Sequence, residues 1–282
     1  MTSLKRPLVI ITAIAVAIVL VTVVIISFYG AWYDEWSGYN DSALLGDGAC
    51  NIAVIPLVGE ITAYDGGTYE EVDFEDLSLV SADQVIAKLR EAEANDQIDG
   101  VVVQIDSGGG GPVASEMLAN TLKRLDVPSV ALIRELGASG GYLTATGADT
   151  IIASAFSDVG GIGVTMSYLD NSQQNLNEGL EYVQLTSAKF KDYGSPDRPM
   201  TAEERALLQR DLDLWHREFV DQVASNRNLP VEQVEKLADG STLPGELALT
   251  AGLVDELGDA ESARQWFVKT LDMPDADVAL CE

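Results

Sequence analysis

Between residues 51 and 155, short apolar runs alternate with stretches of helical periodicity, and no other feature constrains the fold as much. NIAVIPLVGEI (51–61) reads as a strand. SADQVIAKLREAEAND (81–96) reads as an amphipathic helix capped by its serine. GVVVQID (100–106) is a short apolar run of the kind that forms a buried strand. PVASEMLANTLKRLD (112–126) is helical in pattern, and PSVALIRE (128–135) is again a strand. SGGYLTATGAD (139–149) opens a helix at its serine, and TIIASA (150–155) is another strand. Strand and helix alternating at this spacing predict an α/β fold of repeated βαβ units with a mainly parallel sheet. Further on, residues 201–228 form a long helix capped by Thr201, and VEQVEKLAD and GELALTAGL form shorter ones.

The N-terminus has a different character. From Pro7 to Tyr33 there is no charge, and the 21 residues Leu8–Phe28 are almost wholly apolar. At about 1.5 Å per residue that length crosses a hydrocarbon layer of roughly 30 Å. Lys5 and Arg6 precede the run, and Asp34 and Glu35 follow it, so the N-terminus should stay cytoplasmic and the rest lie outside. Tyr29, Trp32, Tyr33 and Trp36 supply an interfacial aromatic belt. A cleaved signal peptide would have a shorter apolar core, about 7–15 residues, followed by small residues where these aromatics stand. The expected organisation is a cytoplasmic tip and one transmembrane helix over 1–36 and a Gly-, Ser- and Asp-rich linker over 37–49. A folded domain over 50–270 and a tail over 271–282 complete it.

Beyond residue 33 the chain carries 15 basic against 45 acidic residues, a net charge of −30. Such a field repels nucleic acid and anionic lipid headgroups and reads first as a solubilising surface. Two cysteines, Cys50 and Cys281, bracket the folded part. Outside the cytoplasm they could pair and tie the ends together; unpaired thiols are the alternative.

Two glycine-rich turns follow strands. IDSGGGGP (105–112) can gather backbone N–H groups into one concavity, although it matches no nucleotide-binding motif. GASGG (137–141) sets Ser139 among residues small enough for other backbone to approach it. Side by side, the two turns would place a hydroxyl near free amides, an arrangement suited to acyl transfer. A plain tight turn and a helix-capping serine are the simpler readings of each alone.

A serine nucleophile needs a base. GASGG satisfies the bare G-x-S-x-G pattern, but that elbow would require the chain's single histidine, His216, as base. His216 lies beside Trp215 and Phe219 in a helical pattern, a setting typical of packing or surface residues. Lysine remains. It serves as a base where an apolar pocket brings its pKa from about 10.4 toward 7–8.

At this point the residues resemble a family. ASGGYLTATGAD is similar to the nucleophile segment of the signal peptide peptidase A family. IDSGGGG resembles its Asn/Asp-Ser-Pro-Gly-Gly turn, and VGGIGV its Gly-Ser-Ile-Gly-Val. FKDYGSPDRPMT resembles its lysine segment, and GELALTAGLVDELGD its closing helix and turn. The order and spacing of these segments, from about Ile52 to Phe267, carry the likeness. The resemblance implies a Clp-protease/crotonase-like fold and a membrane-anchored serine endopeptidase with a Ser/Lys dyad. Ser139 would be the nucleophile and Lys191 the base, with Lys189 its rival two residues earlier. Backbone amides of Gly109, Gly110 and Gly140 would form the oxyanion hole. No cofactor or metal is implied. The expected substrates are apolar, extended peptides such as signal-peptide remnants near the membrane. The expected assembly is a homo-oligomeric ring, anchored through residues 8–28, in which one site can draw its serine and lysine from adjacent protomers.

The chain departs from the family pattern at Gly108, where proline is usual, and at Gly161, where serine is usual. A hydroxyl supporting the lysine would then come from Ser187 or Thr165. Leu143 and Thr144 replace larger residues beside the nucleophile. Two other readings accompany the peptidase: a crotonase-type acyl-CoA enzyme, which would use the same pair of amides, and an inactive scaffold of the same fold.

Overall fold

The computed structural model describes residues 50–64 and 79–281. The apolar run and the linker before Cys50 lie outside the described residues. Among the described residues no helix is long and apolar enough to cross a membrane.

The alternation read from the sequence becomes a sheet. Its strands are β1 (Ile52–Thr62), β2 (Leu79–Ser81), β3 (Gly100–Gly110), β4 (Ser129–Ala138), β5 (Thr150–Ala153) and β8 (Glu256–Leu257), in the order β2-β1-β3-β4-β5-β8, all parallel. Three helices make the crossovers: α1 (Ala82–Glu93), α2 (Pro112–Leu122) and α3 (Gly140–Ala145). Ser81 caps α1 by accepting the Gln84 amide, as the sequence suggested.

Parallel sheets are buried on both faces because the crossovers cover them. Here successive residues divide between two cores. Ala53, Val101, Val103 and Ala131 point toward the helices α1 to α3. Ile52, Val102, Val130 and Ile152 point the other way, against Ala263 and Phe267 of α8 (Ala260–Leu271).

Short elements complete the frame. β6 (Asp158–Gly160) extends the sheet beside the end of β4 and pairs antiparallel with β7 (Thr242–Pro244). A six-residue helix, α4 (Ser172–Asn177), stands in an otherwise irregular, largely exposed stretch over 165–200. The long helix α5 (Ala202–Arg227) follows, then α6 (Val231–Glu235) and α7 (Gly245–Ala251). Thr201 caps α5 through a full capping box with Glu204. Only the last third of α5 packs on the core, through Phe219, Val220, Val223 and Ala224, and Leu214 and Trp215 stay exposed.

Residues 280–281 form β9, which lies parallel to β1. There Cys281 is disulfide-bonded to Cys50, which resolves the open question of the two thiols. Asn51 reinforces the junction: its side chain donates to Asp99 and to the Asp277 carbonyl and accepts the Ala279 amide.

Candidate functional site

The regular ladder breaks where β1, β3 and β4 reach their C-terminal ends, the place where parallel α/β sheets form ligand crevices. The β1–β3 register shifts between Val58 and Glu60, and the β3–β4 register shifts between Ile105 and Ser107. Both glycine-rich turns lie at these breaks.

Ser139 is the residue between β4 and α3. Its backbone has φ 51° and ψ −123°. Two other non-glycine residues of the described chain have positive φ, Asn228 and Asp272, and both are ordinary left-handed helix C-caps. The ψ of Ser139 places it outside that region, in a conformation that costs on the order of 1–3 kcal/mol and persists only where neighbours impose it. The neighbours are identifiable. The Ser139 amide donates to the Gly160 carbonyl (2.8 Å), and its own carbonyl accepts the Leu143 amide (2.9 Å). Behind it the buried Tyr142 hydroxyl donates to the Leu253 carbonyl (2.9 Å), which anchors α3 to the chain after α7.

The first glycine turn is packed against this serine. A Cβ placed on Gly109 would sit 2.6 Å from the Gly140 nitrogen and 3.1 Å from Ser139 Oγ, and Gly109 has φ +104°. A Cβ on Gly140 would meet Ser115 Oγ at 2.2 Å and the Gly110 nitrogen at 3.3 Å. Glycine is required at both positions so that the two turns can touch. The juxtaposition expected from the sequence is therefore present within one protomer.

The three expected amides are not equivalent. Gly109 N–H donates to Ser107 Oγ (3.1 Å), and that hydroxyl donates to the Gly59 carbonyl (2.6 Å). Ser107 is buried and fixes the turn from beneath. Asp106 fixes it from the side by accepting the Leu136 amide (3.2 Å). Gly140 is the first residue of α3, so its amide has no acceptor inside the helix. Ser107 was not singled out from the sequence, although it stands inside the IDSGGGG motif.

Among the described residues, Ser139 Oγ has no hydrogen-bond partner. Lys191 lies far along the chain, in a turn of the exposed stretch, where its backbone amide donates to the Ala188 carbonyl (3.1 Å). Its side chain is exposed and has no hydrogen bond or ion pair among the described residues. Within the protomer no hydrogen bond joins Lys191 to Ser139. Lys189 differs: its ammonium pairs with Glu203 at 2.6 Å. Thr165 and Ser187 are both exposed and neither bonds Lys191; Thr165 lies 3.5 Å from Ser167. His216 is half-buried in the middle of α5, with no polar partner among the described residues. Gly161 has φ +57°, and a Cβ there would crowd Ala138 Cβ at 3.1 Å, so its replacement of the usual serine suits the local backbone. Among the described residues no cluster of His, Cys, Asp or Glu could hold a metal ion.

Comparison with known proteins gives a consistent picture. A ClpP1 variant from Listeria monocytogenes superposes on 78% of this chain and 97% of its own, with a TM-score of 0.50 and 14% sequence identity, so the fold is Clp-protease-like. A Methanocaldococcus jannaschii protein provisionally named a protease is 38% identical over 177 residues, 62% of this chain and 57% of that one. The chloroplast serine protease SPPA of Arabidopsis thaliana is 28% identical over 230 residues, 80% of this chain and 33% of that one. The chain therefore spans 57% and 33% of the length of these two relatives. Residues 121–273, more than half of the chain and including both glycine-flanked Ser139 and Lys191, match the model of peptidase family S49. The chain belongs to peptidase family S49.

Proposed function

We propose that the protein is a membrane-anchored serine endopeptidase that cleaves apolar, extended peptides, among them signal-peptide remnants, with Ser139 as nucleophile and Lys191 as base. One observation carries this reading: a serine with a free hydroxyl, held at φ 51° at the strand-to-helix junction, with the backbone of Gly109 and Gly140 pressed against it.

In the proposed cycle, neutral Lys191 takes the Ser139 proton and the oxygen attacks the peptide carbonyl carbon. Backbone amides hold the resulting oxyanion. The Gly109 amide is already engaged by Ser107, which favours Gly110 and Gly140 as donors. The lysine then gives its proton to the leaving amine. Water, deprotonated by the same lysine, hydrolyses the acyl-enzyme and regenerates the serine.

We assign Lys191 to the serine of an adjacent protomer. Within one protomer no hydrogen bond joins the two side chains. The exposed stretch that carries the lysine keeps Leu169 and Leu185 80% and 92% exposed. A second copy covering that stretch would bury these side chains and supply the apolar pocket a neutral lysine needs. The uncharged run over 8–28 would anchor the ring, with the catalytic part outside the cytoplasm, where the Cys50–Cys281 bond is stable.

A fluorophosphonate probe followed by peptide mapping tests the assignment. Label should appear on Ser139, and Ser139→Ala should lose both label and peptide cleavage, by about 10⁴-fold or more in kcat. Normal cleavage by Ser139→Ala would remove the assignment.

A further inference from the structure

The exposed stretch is tied together around one side chain. Arg198 Nη1 donates to Glu204 Oε2 (3.0 Å) and Nη2 to Glu204 Oε1 (2.6 Å), a two-pronged pair with a carboxylate that is 3% exposed. Nη2 also donates to the backbone oxygen of Asp192 (2.8 Å), the residue directly after Lys191, and Nε faces the Asp192 carboxylate at 3.5 Å. The other oxygen contacts close the ring: Tyr182 Oη donates to Asp192 Oδ2 (2.7 Å), and Thr201 donates to Glu204 through both its amide and its hydroxyl, each at 2.9 Å. Two further bonds brace the same loop against α4 and its entry, from Asn175 to Asp197 (3.0 Å) and from the Asn171 amide to the Pro196 carbonyl (2.8 Å).

A capping box needs only Thr201 and Glu204. Arg198 adds a link that the cap does not require, and the link leads to the residue beside Lys191. We propose that Arg198 is a positioning residue for Lys191: it locks the loop bearing the lysine onto the first turn of α5 and keeps the adjacent Asp192 carboxylate occupied. The inference rests on Lys191 being the base. It touches neither substrate nor Ser139; it sets where the ammonium is delivered and what charge lies beside it. The charged and titratable groups gathered at Asp192 are Arg198 from the loop, Tyr182 from the exposed stretch and Glu204 from α5; the Lys189–Glu203 pair bridges the same loop to the same helical turn.

Two effects follow from removing the guanidinium. The loop loses its anchor, and misplacement of a catalytic group by about 1 Å costs on the order of 100-fold in rate. Asp192 also loses its cation, and an uncompensated carboxylate next to a lysine favours the charged ammonium.

The test uses the full-length protein in detergent or bilayers, with kcat and KM for an apolar peptide measured across pH. Arg198→Ala should lower kcat by about 100-fold, leave KM within about twofold, and move the acid limb of the kcat profile upward by about half to one pH unit. Arg198→Lys, which keeps one charge but not the fork, should lose about 10-fold. Fluorophosphonate labelling of Ser139 should slow in parallel, at unchanged oligomeric mass. If Arg198→Ala does not fold, Arg198→Lys and Glu204→Gln carry the same comparison. Wild-type kcat in these variants overturns the inference. So does a fall in kcat that follows lost folded protein or lost assembly while the acid limb stays in place. Retained cleavage by Ser139→Ala or Lys191→Ala would instead fail the underlying dyad, a result read independently of Arg198.

Discussion

The two halves of the proposed site are built in opposite ways. Around Ser139 the chain is buried, short-looped and glycine-dense. Strand ends, the Ser107 hydroxyl and the Gly160 carbonyl each constrain the backbone, and nothing larger than hydrogen fits at Gly109 or Gly140. Around Lys191 the chain is exposed, nearly without regular structure, and fixed by ion pairs and side-chain hydrogen bonds gathered on Arg198. Hydrophobic packing sets the first half within one protomer. The second half presents apolar side chains to solvent and depends on polar ties at its base. On the proposed reading, the contrast means that the fold preorganises the nucleophile and its amide donors within one protomer and leaves the base to be supplied by assembly.

The largest effect should separate the two lysines. Lys191→Ala should cut kcat by about 10²–10⁴-fold, the usual worth of a general base, and Lys189→Ala should stay near wild type. A reversed order would move the base to Lys189 and break the contrast, because that ammonium is already paired with Glu203. The next effect belongs to the core half. Gly109→Ala should lower kcat by about 100-fold through the displaced Gly140 amide and cost about 1–3 kcal/mol of stability, measured by denaturant unfolding. Unchanged kinetics would show that the contact between the turns is incidental to the reaction.

A smaller effect concerns acid stability and sharpens the picture of the exposed half. Hydrogen bonds from Arg198 first, then from Thr201, hold the Glu204 carboxyl down to about 2. An unfolded glutamate titrates near about 4.3. Because the folded value is the lower one, the pair's stabilisation is complete above about pH 5 and is lost as pH falls toward about 2. The protection of residues 186–200 against hydrogen exchange, taken relative to the intrinsic rate at each pH, should therefore fall between those limits in the wild type. Glu204→Gln should show low protection already at neutral pH and little further change in it.

The sheet was legible because its strands are buried on both faces, and such strands read as runs like GVVVQID and TIIASA. Ser81 and Thr201 were legible as caps because a hydroxyl before a helical pattern has one dominant use. The strands β6, β7, β8 and β9 were not. At two or three residues each they carry no periodicity, and only tertiary pairing defines them. In the candidate site, the two glycine turns and Ser139 stood out by composition. The backbone strain at Ser139, the choice among the three amides and the anchoring by Arg198 did not, since each depends on contacts between segments distant in sequence or on geometry that residue type leaves open. Ser107 illustrates the point: its motif position was visible, but the bond to Gly59, 48 positions away, was not.

The most direct measurement joins the two halves across copies. Ser139→Ala and Lys191→Ala are each expected to be inactive alone. Co-expressed with different tags and purified as mixed assemblies, each chain would supply what its neighbour lacks, and about a quarter of the sites in a random equal mixture would be complete. Recovery of cleavage to about that fraction of the wild-type rate is the expected result. Mixed assemblies of confirmed composition that stay as inactive as their parents would contradict a site shared between a core-held serine and a neighbour's lysine.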